Sequence, residues 1–237
     1  MQATPWLILP GRGVQFPNPE DFDDEGLIAV GGDLSPERLL SAYQSGIFPW
    51  FSEGVPPLWW SPNPRAVIEP EELHISRSMR RLLQRGTYRL SVNTAFASVM
   101  RGCAEEREDG TWILPEMLDA YSCLHRLGHA HSIEVWSQDE LVGGLYGVQR
   151  GGLFAAESMF HRSSNASKVA LVGAVRGFGR MGMRLFDVQF VTEHLKSLGA
   201  KEMSRSDYLL RLSAAASQSQ ESFARANLGA SKDLLEQ

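Results

Sequence analysis

Hydrophobic residues recur with helical spacing in the first half of the chain, where four segments are predicted to be helices. The first has clear end signals: Ser35 suits the N-cap, Pro36 the first helical position, and Gly46 the residue just past the end. In the second, from His74 to Arg85, apolar side chains occupy one face and arginines the other. The remaining two cover residues 94–104 and 115–128.

From Ala130 onwards the pattern changes to the alternation typical of strands. Three segments separated by short polar turns, residues 132–136, 140–149 and 152–160, predict an antiparallel meander. A helix over 164–181, a strand over 184–192 and a short helix over 205–213 are expected to follow. Helices, then a meander, then a helix and a strand together predict an α+β fold.

The chain is expected to divide into two domains. Residues 1–68 are rich in Pro, Gly and Trp, and their aromatic runs at 48–51 and 58–60 indicate turns of a small N-terminal domain. Residues 69–237 are expected to form a larger domain with a mainly antiparallel sheet. Its tail, residues 214–237, is rich in Ala, Ser and Gln, which predicts a frayed helix or a disordered segment.

Composition excludes several classes of protein. The chain has 237 residues, 43% of them hydrophobic, which is enough for one large core or two modest ones. Its two cysteines, Cys103 and Cys123, argue against a disulfide scaffold and against a cysteine-based zinc site. The N-terminus has no basic leader and no long apolar run, so we expect a cytoplasmic protein without membrane spans.

The distribution of charge changes the picture given by the net charge of −5. An acidic protein is a poor partner for nucleic acid, but residues 73–104 contain no Asp or Glu. Arginines on the second helix and just beyond it could form an ordinary solvated face, yet the lack of compensating acids favours phosphate binding. These candidate phosphate ligands are Arg77, Arg80, Arg81, Arg85 and Arg89.

Two acids in apolar strands are candidates for chemistry. In the strand over 184–192, Asp187 and Gln189 are expected to share one face because side chains alternate with period two. Asp187 could be satisfied by backbone groups or a buried arginine, or it could be functional. Glu157 lies in a second apolar strand, so the two carboxylates could form an acidic pocket for a cationic substrate.

Other motifs have weaker chemical meaning. The glycines from Gly177 to Gly182 match a dinucleotide-binding pattern, but they end a helix instead of opening one, which favours an ordinary helix terminus. His129 and His131 lack an obvious third metal ligand. Trp50 and Trp112 could be core residues, or they could line an apolar pocket or stack on a base.

An ordered set of segments resembles the bacterial leucyl/phenylalanyl-tRNA–protein transferases. The set extends over about Phe16 to Leu212. Its members are Gly31–Pro36, Tyr43–Phe51, Leu58–Arg65, His74–Met79, Gly110–Ile113, Gly128–Trp136, Gly143–Gly147, Glu157–Phe160, Asn165–Lys168, Asp187–Gln189 and Ser197–Ala200. Any one of these segments would be weak, but their order makes the resemblance specific.

The resemblance implies a fold and an activity. The larger domain would be a GNAT-like acyltransferase that uses aminoacyl-tRNA instead of acyl-CoA. It would move Leu or Phe, and less readily Met, onto proteins that begin with Arg or Lys, which marks them for degradation. No metal or organic cofactor is implied, and the partners are the charged tRNA and the acceptor protein, with the enzyme acting as a monomer.

The resemblance also implies roles for individual residues. Asp187 and Gln189 would be catalytic, with Gln189 orienting groups by hydrogen bonds because a neutral amide is not a base. Asp187 would polarise Gln189 or attract the ammonium form of the acceptor. Glu157 would bind the cationic N-terminus of the acceptor, and the arginine helix would grip the tRNA acceptor stem. A pocket for the Leu or Phe side chain and the terminal adenine would be formed by Trp50, Trp112, Leu145, Phe154 and Met159.

Two other functions are compatible with the residues. One is an N-acyltransferase of the same fold that depends on acyl-CoA, although no pyrophosphate-binding loop precedes the helix that begins near Ser164. The other is a non-catalytic RNA-binding module, for which the basic helix alone would suffice.

Overall fold

The computed structural model describes residues 6–11, 15–105, 111–218, 223, 226 and 228–235, so Gly110 and parts of the tail lie outside the description. The strands are β1 (Leu7–Leu9), β2 (Leu27–Gly31), β3 (Phe48–Pro49), β4 (Leu58–Trp60), β5 (Arg65–Ile68), β6 (Arg89–Val92), β7 (Ala130–Ser137), β8 (Glu140–Arg150), β9 (Leu153–His161), β10 (Leu185–Gln189) and β11 (Lys201–Met203). The helices are α1 (Pro36–Gln44), α2 (Arg77–Gln84), α3 (Phe96–Glu105), α4 (Pro115–Arg126), α5 (Ala166–Arg180), α6 (Glu193–Lys196) and α7 (Arg205–Ala216).

The strands form two sheets. A four-stranded sheet has the order β1-β2-β4-β3, and a seven-stranded sheet has the order β11-β5-β10-β9-β8-β7-β6. Most pairs are antiparallel, whereas β1 with β2 and β9 with β10 are parallel. The expected α+β class with a mainly antiparallel sheet is confirmed. Among the described residues, no helix combines the length and the apolar character needed to cross a bilayer.

The predicted helices and the meander are confirmed, with two informative shifts at element ends. Helix α2 begins at Arg77 instead of His74, because the Ser76 hydroxyl accepts a hydrogen bond from the Met79 amide at 3.2 Å and caps the helix there. Strand β10 stops at Gln189 instead of continuing to residue 192, because Gln189 adopts a left-handed backbone conformation with φ of 58°.

The boundary between the two expected domains is crossed by strand pairing and by packing. Strand β5 ends at residue 68, within the expected N-terminal domain, yet it pairs with β10 and β11 in the larger sheet. The aromatic runs that were expected as turns form β3 and β4. Tyr43 of α1 lies in the same hydrophobic core as Tyr121 of α4 and Phe160 of β9, so the small sheet shares a core with the larger one.

The described part of the tail is packed, which corrects the expectation of a frayed or disordered segment for those residues. Phe223 is fully buried and stacks on Phe178 of α5 with ring centroids 3.7 Å apart. Leu228 is also buried, and Gly177 of α5 lets both side chains approach, since a Cβ there would lie 2.8 Å from Leu228. A 3-10 helix over Ser231–Leu235 follows, whereas residues 219–222, 224–225, 227 and 236–237 lie outside the description.

An opening between β9 and β10 determines where a site can form. The two strands pair only from Leu185 opposite Leu153 to Asp187 opposite Ala155. Just beyond, β9 has a bulge against β8 that leaves Glu157 as the extra residue, and β10 has one against β5 at Val188. Bulges bend strands and re-aim side chains, so the strands separate here and leave space between them.

Candidate active site

A cavity of about 390 Å³ occupies the opening between β9 and β10. It contains six of the side chains that the sequence indicated for the substrate and the chemistry: Trp50, Trp112, Leu145, Glu157, Met159 and Gln189. The others lining it are Phe48, Pro49, Ala156, Ser158, Leu171, Val188, Phe190, Thr192 and Leu195. The walls are therefore mostly apolar, and Glu157 is the one ionisable side chain among the described lining residues, a composition typical of a small-molecule site.

The half-buried carboxyl group of Glu157 is surrounded by hydrogen-bonding side chains. Tyr121 donates to one carboxyl oxygen at 3.3 Å, and the Gln189 amide donates to the other at 3.4 Å. The Tyr43 hydroxyl forms a hydrogen bond with that of Tyr121. Burial raises the pKa of Glu157 to about 8; the hydroxyl of Tyr43 lowers this pKa, and the Asp187 charge raises it. This acid therefore titrates close to neutral pH.

Asp187 forms a buried ion pair with Arg65 and does not line the cavity. Its two oxygens accept from the Arg65 guanidinium at 2.9 and 2.6 Å, and the second also accepts from the Tyr208 hydroxyl at 2.8 Å. The first oxygen additionally accepts from the backbone N–H of Gln189 at 3.0 Å. The charge of Asp187 is thus compensated, and its geometry suits holding Gln189 in place better than attracting a cation.

The expectation that Asp187 and Gln189 share one face is wrong. Because of the bulge at Val188, Asp187 lies opposite Val67 of β5 while Gln189 lies opposite the adjacent Ala66. Neighbouring residues of a strand point to opposite faces, so the two side chains diverge. This break in alternation directs the amide of Gln189 into the cavity and leaves Asp187 beneath it.

Phe154 does not belong to the cavity, although the sequence placed it there. It is fully buried, and its ring lies 4.0 Å from that of Phe178 and 5.4 Å from that of Phe186. These aromatic rings, with Phe223, fill the core between the sheet and α5. Phe154 therefore supports the floor of the site from within the core.

An aromatic rim borders the cavity and includes a residue that the sequence did not indicate. Trp50 and Phe190 are 46% and 43% exposed, and their ring centroids lie 5.8 Å apart. Phe190 also meets Phe48 edge-on at 6.1 Å. Large exposed aromatic side chains at a cavity mouth suit stacking on a planar group. The sequence signal was available, since Phe190 follows Gln189 directly.

Arg65, Tyr43, Tyr121 and Tyr208 are the other residues that sequence reasoning did not assign. Arg65 and Asp187 lie 122 positions apart in the chain, and nothing in local periodicity links them. The tyrosines occupy ordinary core positions of their helices, so a helical pattern could indicate burial but not which hydroxyl meets which acid.

The predicted phosphate ligands of α2 are exposed, as a surface for a polyanion requires. Met79 and Leu83 face the core, whereas Arg77, Arg80, Arg81 and Arg85 point outwards. Within the described residues, none of these four guanidinium groups forms an ion pair. Arg89, also exposed, lies in β6 with its guanidinium 5.3 Å from the ring of Trp136.

Helix α6 connects the arginine helix to the cavity. Leu195 lines the cavity, and three residues later Leu198 lines a smaller cleft shared with Met79 and Leu82 of α2. The Leu198 carbonyl accepts from the His74 amide at 3.0 Å. The core-facing side of α2 and the cavity are therefore linked through α6 and the residues that follow it.

The weaker motifs have structural roles. The segment from Gly177 to Gly182 forms the end of α5 and its C-terminal turn, as expected. His131 is buried and hydrogen-bonds Asn93 at 3.0 Å, and burial lowers the pKa of His131 to about 4. In the part of the chain that the structure describes, no group of three or more His, Cys, Asp or Glu side chains could hold a metal ion.

Comparison with known proteins agrees with the arrangement of the site. Residues 67–213 match the family described as leucyl/phenylalanyl-tRNA protein transferase, and residues 32–63 match its N-terminal domain. The chain belongs to this family. The leucyl/phenylalanyl-tRNA–protein transferase of Escherichia coli O1:K1 is 58% identical over 203 residues, which is 85% of this chain and 87% of that one. The transferase of Shigella sonnei is 57% identical over the same shares.

Solved structures give a more distant likeness. L-PGS from Bacillus licheniformis is 14% identical with a TM-score of 0.40, over 71% of this chain and 57% of that one. A GCN5-related N-acetyltransferase from Kribbella flavida is 12% identical with a TM-score of 0.39, over 71% and 61%. These TM-scores are low, so the family assignment rests on the sequence matches. Membership of an enzyme family sets aside the non-catalytic RNA-binding alternative.

Proposed function

We propose that this transferase moves Leu or Phe, and less readily Met, from aminoacyl-tRNA to the N-terminal amine of proteins that begin with Arg or Lys. The observation that carries the proposal is the apolar cavity with a carboxyl group and an amide, Glu157 and Gln189, in its wall. Such a cavity can hold an apolar aminoacyl group beside a cationic chain end. We further propose that the enzyme acts as a monomer in the cytoplasm, where its product enters N-degron degradation.

The donor's side chain would occupy the apolar part of the cavity. Trp112, Leu145 and Met159 give this part of the cavity a largely apolar surface. A polar aminoacyl group would lose its hydration there without compensation, so Leu and Phe are preferred. The exposed rings of Trp50 and Phe190 would stack on the terminal adenine of the tRNA.

The acceptor's N-terminus would approach Glu157. An N-terminal Arg or Lys carries a positive side chain as well as its ammonium group, and an acid in a low-dielectric wall attracts such a cation more strongly than water allows. Gln189 would orient the amine and the ester by hydrogen bonds, because its amide already reaches the carboxyl group of Glu157. Asp187 would act through its contact with the Gln189 backbone.

The reaction depends more on positioning the amine and the ester than on a strong base. An α-amino group has a pKa of about 7.7–8.0, so roughly a tenth is neutral at pH 7. Aligning that amine with the ester carbonyl and stabilising the tetrahedral intermediate would supply most of the rate enhancement. Both tasks can be performed by side chains alone, so no cofactor is proposed.

A transfer assay tests the proposed function. Purified enzyme is incubated with labelled Leu-tRNA and a peptide that begins with Arg, and labelled peptide is the expected product. Matched peptides that begin with Asp or Ala should receive far less label. Labelled acetyl-CoA in place of Leu-tRNA tests the alternative donor, and acetyl transfer without leucyl transfer would contradict the proposal.

Charge reversal on α2 tests the proposed tRNA surface. We expect Arg80→Glu with Arg81→Glu to weaken Leu-tRNA affinity at least about tenfold, because two phosphate contacts are lost. The slope of log affinity against log salt should fall by about two. Filter binding over a range of salt concentrations measures both quantities.

The matched control places the same charge change elsewhere on the surface. Arg126 ends α4 and Arg184 lies just before β10, and both are exposed. The Arg126→Glu, Arg184→Glu variant should keep the salt slope of the wild-type enzyme. Equal losses of affinity in the two double variants would show that only net charge matters and would contradict a binding surface on α2.

A further inference from the structure

A chain of hydrogen bonds through two hydroxyl groups leads from the shared core to the cavity and ends at Glu157. Tyr43 of α1 and Tyr121 of α4 are 2% and 0% exposed, and their hydroxyls hydrogen-bond each other. Tyr121 donates to Glu157 at 3.3 Å. The contact brings together one residue from each expected domain within a largely apolar cluster.

The protonation states of the three groups determine which of them donates in each of these hydrogen bonds. Burial raises the pKa of Tyr43 and of Tyr121 well above the usual value, so both hydroxyls keep their protons near neutral pH. When the carboxylate of Glu157 is ionised it can only accept, so Tyr121 must donate to it. The Tyr121 oxygen then accepts from Tyr43. Donation toward a charged acceptor is the strong form of a hydrogen bond.

We propose that Glu157 accepts the proton of the acceptor protein's N-terminal ammonium, and that Tyr43 and Tyr121 are positioning residues that hold its carboxylate ready to do so. The inference rests on the proposed function, since it assigns a proton acceptor to that reaction. It differs from a purely electrostatic role for Glu157, which would require the acid to bind the cation without taking a proton from it.

The step balances in protons and bonds. The Glu157 carboxylate takes one proton from the ammonium group and becomes a carboxylic acid, which leaves a neutral amine. The amine nitrogen forms a bond to the ester carbonyl carbon as the bond from that carbon to the ribose oxygen breaks. The second amine proton passes to the ribose oxygen, and the proton on Glu157 returns to solvent through the open cavity after the product leaves.

The polar and charged groups around Glu157 determine whether it can act in this way. Tyr43 from α1 and Tyr121 from α4 stabilise its ionised form, as does the charge of Arg65 from β5. Burial and the charge of Asp187 from β10 favour its protonated form. The balance brings the acid near the pKa of an α-amino group, which is about 7.7–8.0, so proton transfer between the two is nearly isoenergetic.

The pH dependence of transfer tests the inference. Transfer from Leu-tRNA to one Arg-initiated peptide is measured from pH 6 to pH 9.5 as kcat/KM for the peptide. Removing a hydroxyl donor disfavours the ionised form of Glu157. Tyr121→Phe should therefore shift the acid limb of the profile to higher pH by about one pH unit. Tyr43→Phe should move it in the same direction, because the hydroxyl of Tyr43 also lowers the pKa of Glu157. The peptide is identical throughout, so titration of its own amine cancels.

A matched variant separates positioning from general structural damage. Tyr88 is half-buried, donates a hydrogen bond to the Ser164 carbonyl and makes no contact with these two tyrosines, so Tyr88→Phe should leave the limb where it is in the wild type. A purely structural role for Tyr43 and Tyr121 would lower the rate equally at every pH. Unmoved acid limbs in both variants, with wild-type transfer intact, would overturn the inference alone, whereas absence of transfer by the wild-type enzyme would overturn the proposed function.

Discussion

Asp187→Ala is expected to lower the free energy of unfolding by about 3–5 kcal/mol, because it leaves the guanidinium of Arg65 buried without its partner. Both side chains are at most 1% exposed, so water cannot replace the lost carboxylate. Transfer by the folded enzyme should fall as well, since the Gln189 backbone loses its acceptor. Affinity for tRNA should survive, because α2 is untouched. Chemical denaturation and filter binding measure these effects.

A double-mutant cycle provides the control for this prediction. Arg65→Met alone should cost a similar amount, because it strands the Asp187 carboxylate. Replacing both residues by apolar ones, as in Arg65→Met with Asp187→Leu, should recover much of the lost stability, since no unpaired charge remains. If the two single losses simply add in the double variant, the ion pair is not the source of the effect.

Glu157→Gln is expected to reduce transfer about 100-fold or more, with most of the loss in kcat. The substitution keeps the size and shape of the side chain, and it removes the carboxylate that binds the ammonium group and takes its proton. Binding of Leu-tRNA should change little. Initial rates at saturating Leu-tRNA and varied peptide give kcat and KM separately, and Glu140→Gln is the matched surface control because Glu140 is exposed.

Glu157→Gln is also expected to change how the free energy of unfolding depends on pH. The pKa of Glu157 in the folded protein, about 8, is above the ordinary value of 4.5. The unfolded chain therefore releases this proton first, and the contribution of Glu157 to stability declines as pH rises from about 4.5 to about 8. The amide side chain that Glu157→Gln introduces cannot ionise, so the stability of this variant should lack that decline.

A Glu157→Gln variant that keeps more than half of the wild-type transfer rate from pH 6 to 9 would contradict the assigned role.

Much of the fold followed from local patterns in the sequence. The end signals at Ser35, Pro36 and Gly46 located α1, and Gly46 adopts the left-handed conformation expected just past a helix. The meander and α5 followed from a change in hydrophobic period. Strands β6 and β11 were missed because they have four and three residues, and such short segments carry too little periodicity to detect.

Several of the residues that line the site could also be predicted from the sequence. Glu157 stood out because an acid in an apolar strand is costly unless it is paired or used, and Gln189 came from the family resemblance. Trp50, Trp112 and Met159 came from the family resemblance and do line the cavity. What these residues do there remains a proposal for the assays to test.

The sequence by itself determined the helices, the meander, the family and most of the side chains around the cavity, because those depend on local spacing and on motifs. Only the tertiary structure decided how they face one another. Two bulges, at Glu157 and Val188, break the alternation that local reasoning assumes. Contacts such as that of Arg65 with Asp187 depend on which strands become neighbours, and that is fixed by packing of the whole chain and not by any segment of it.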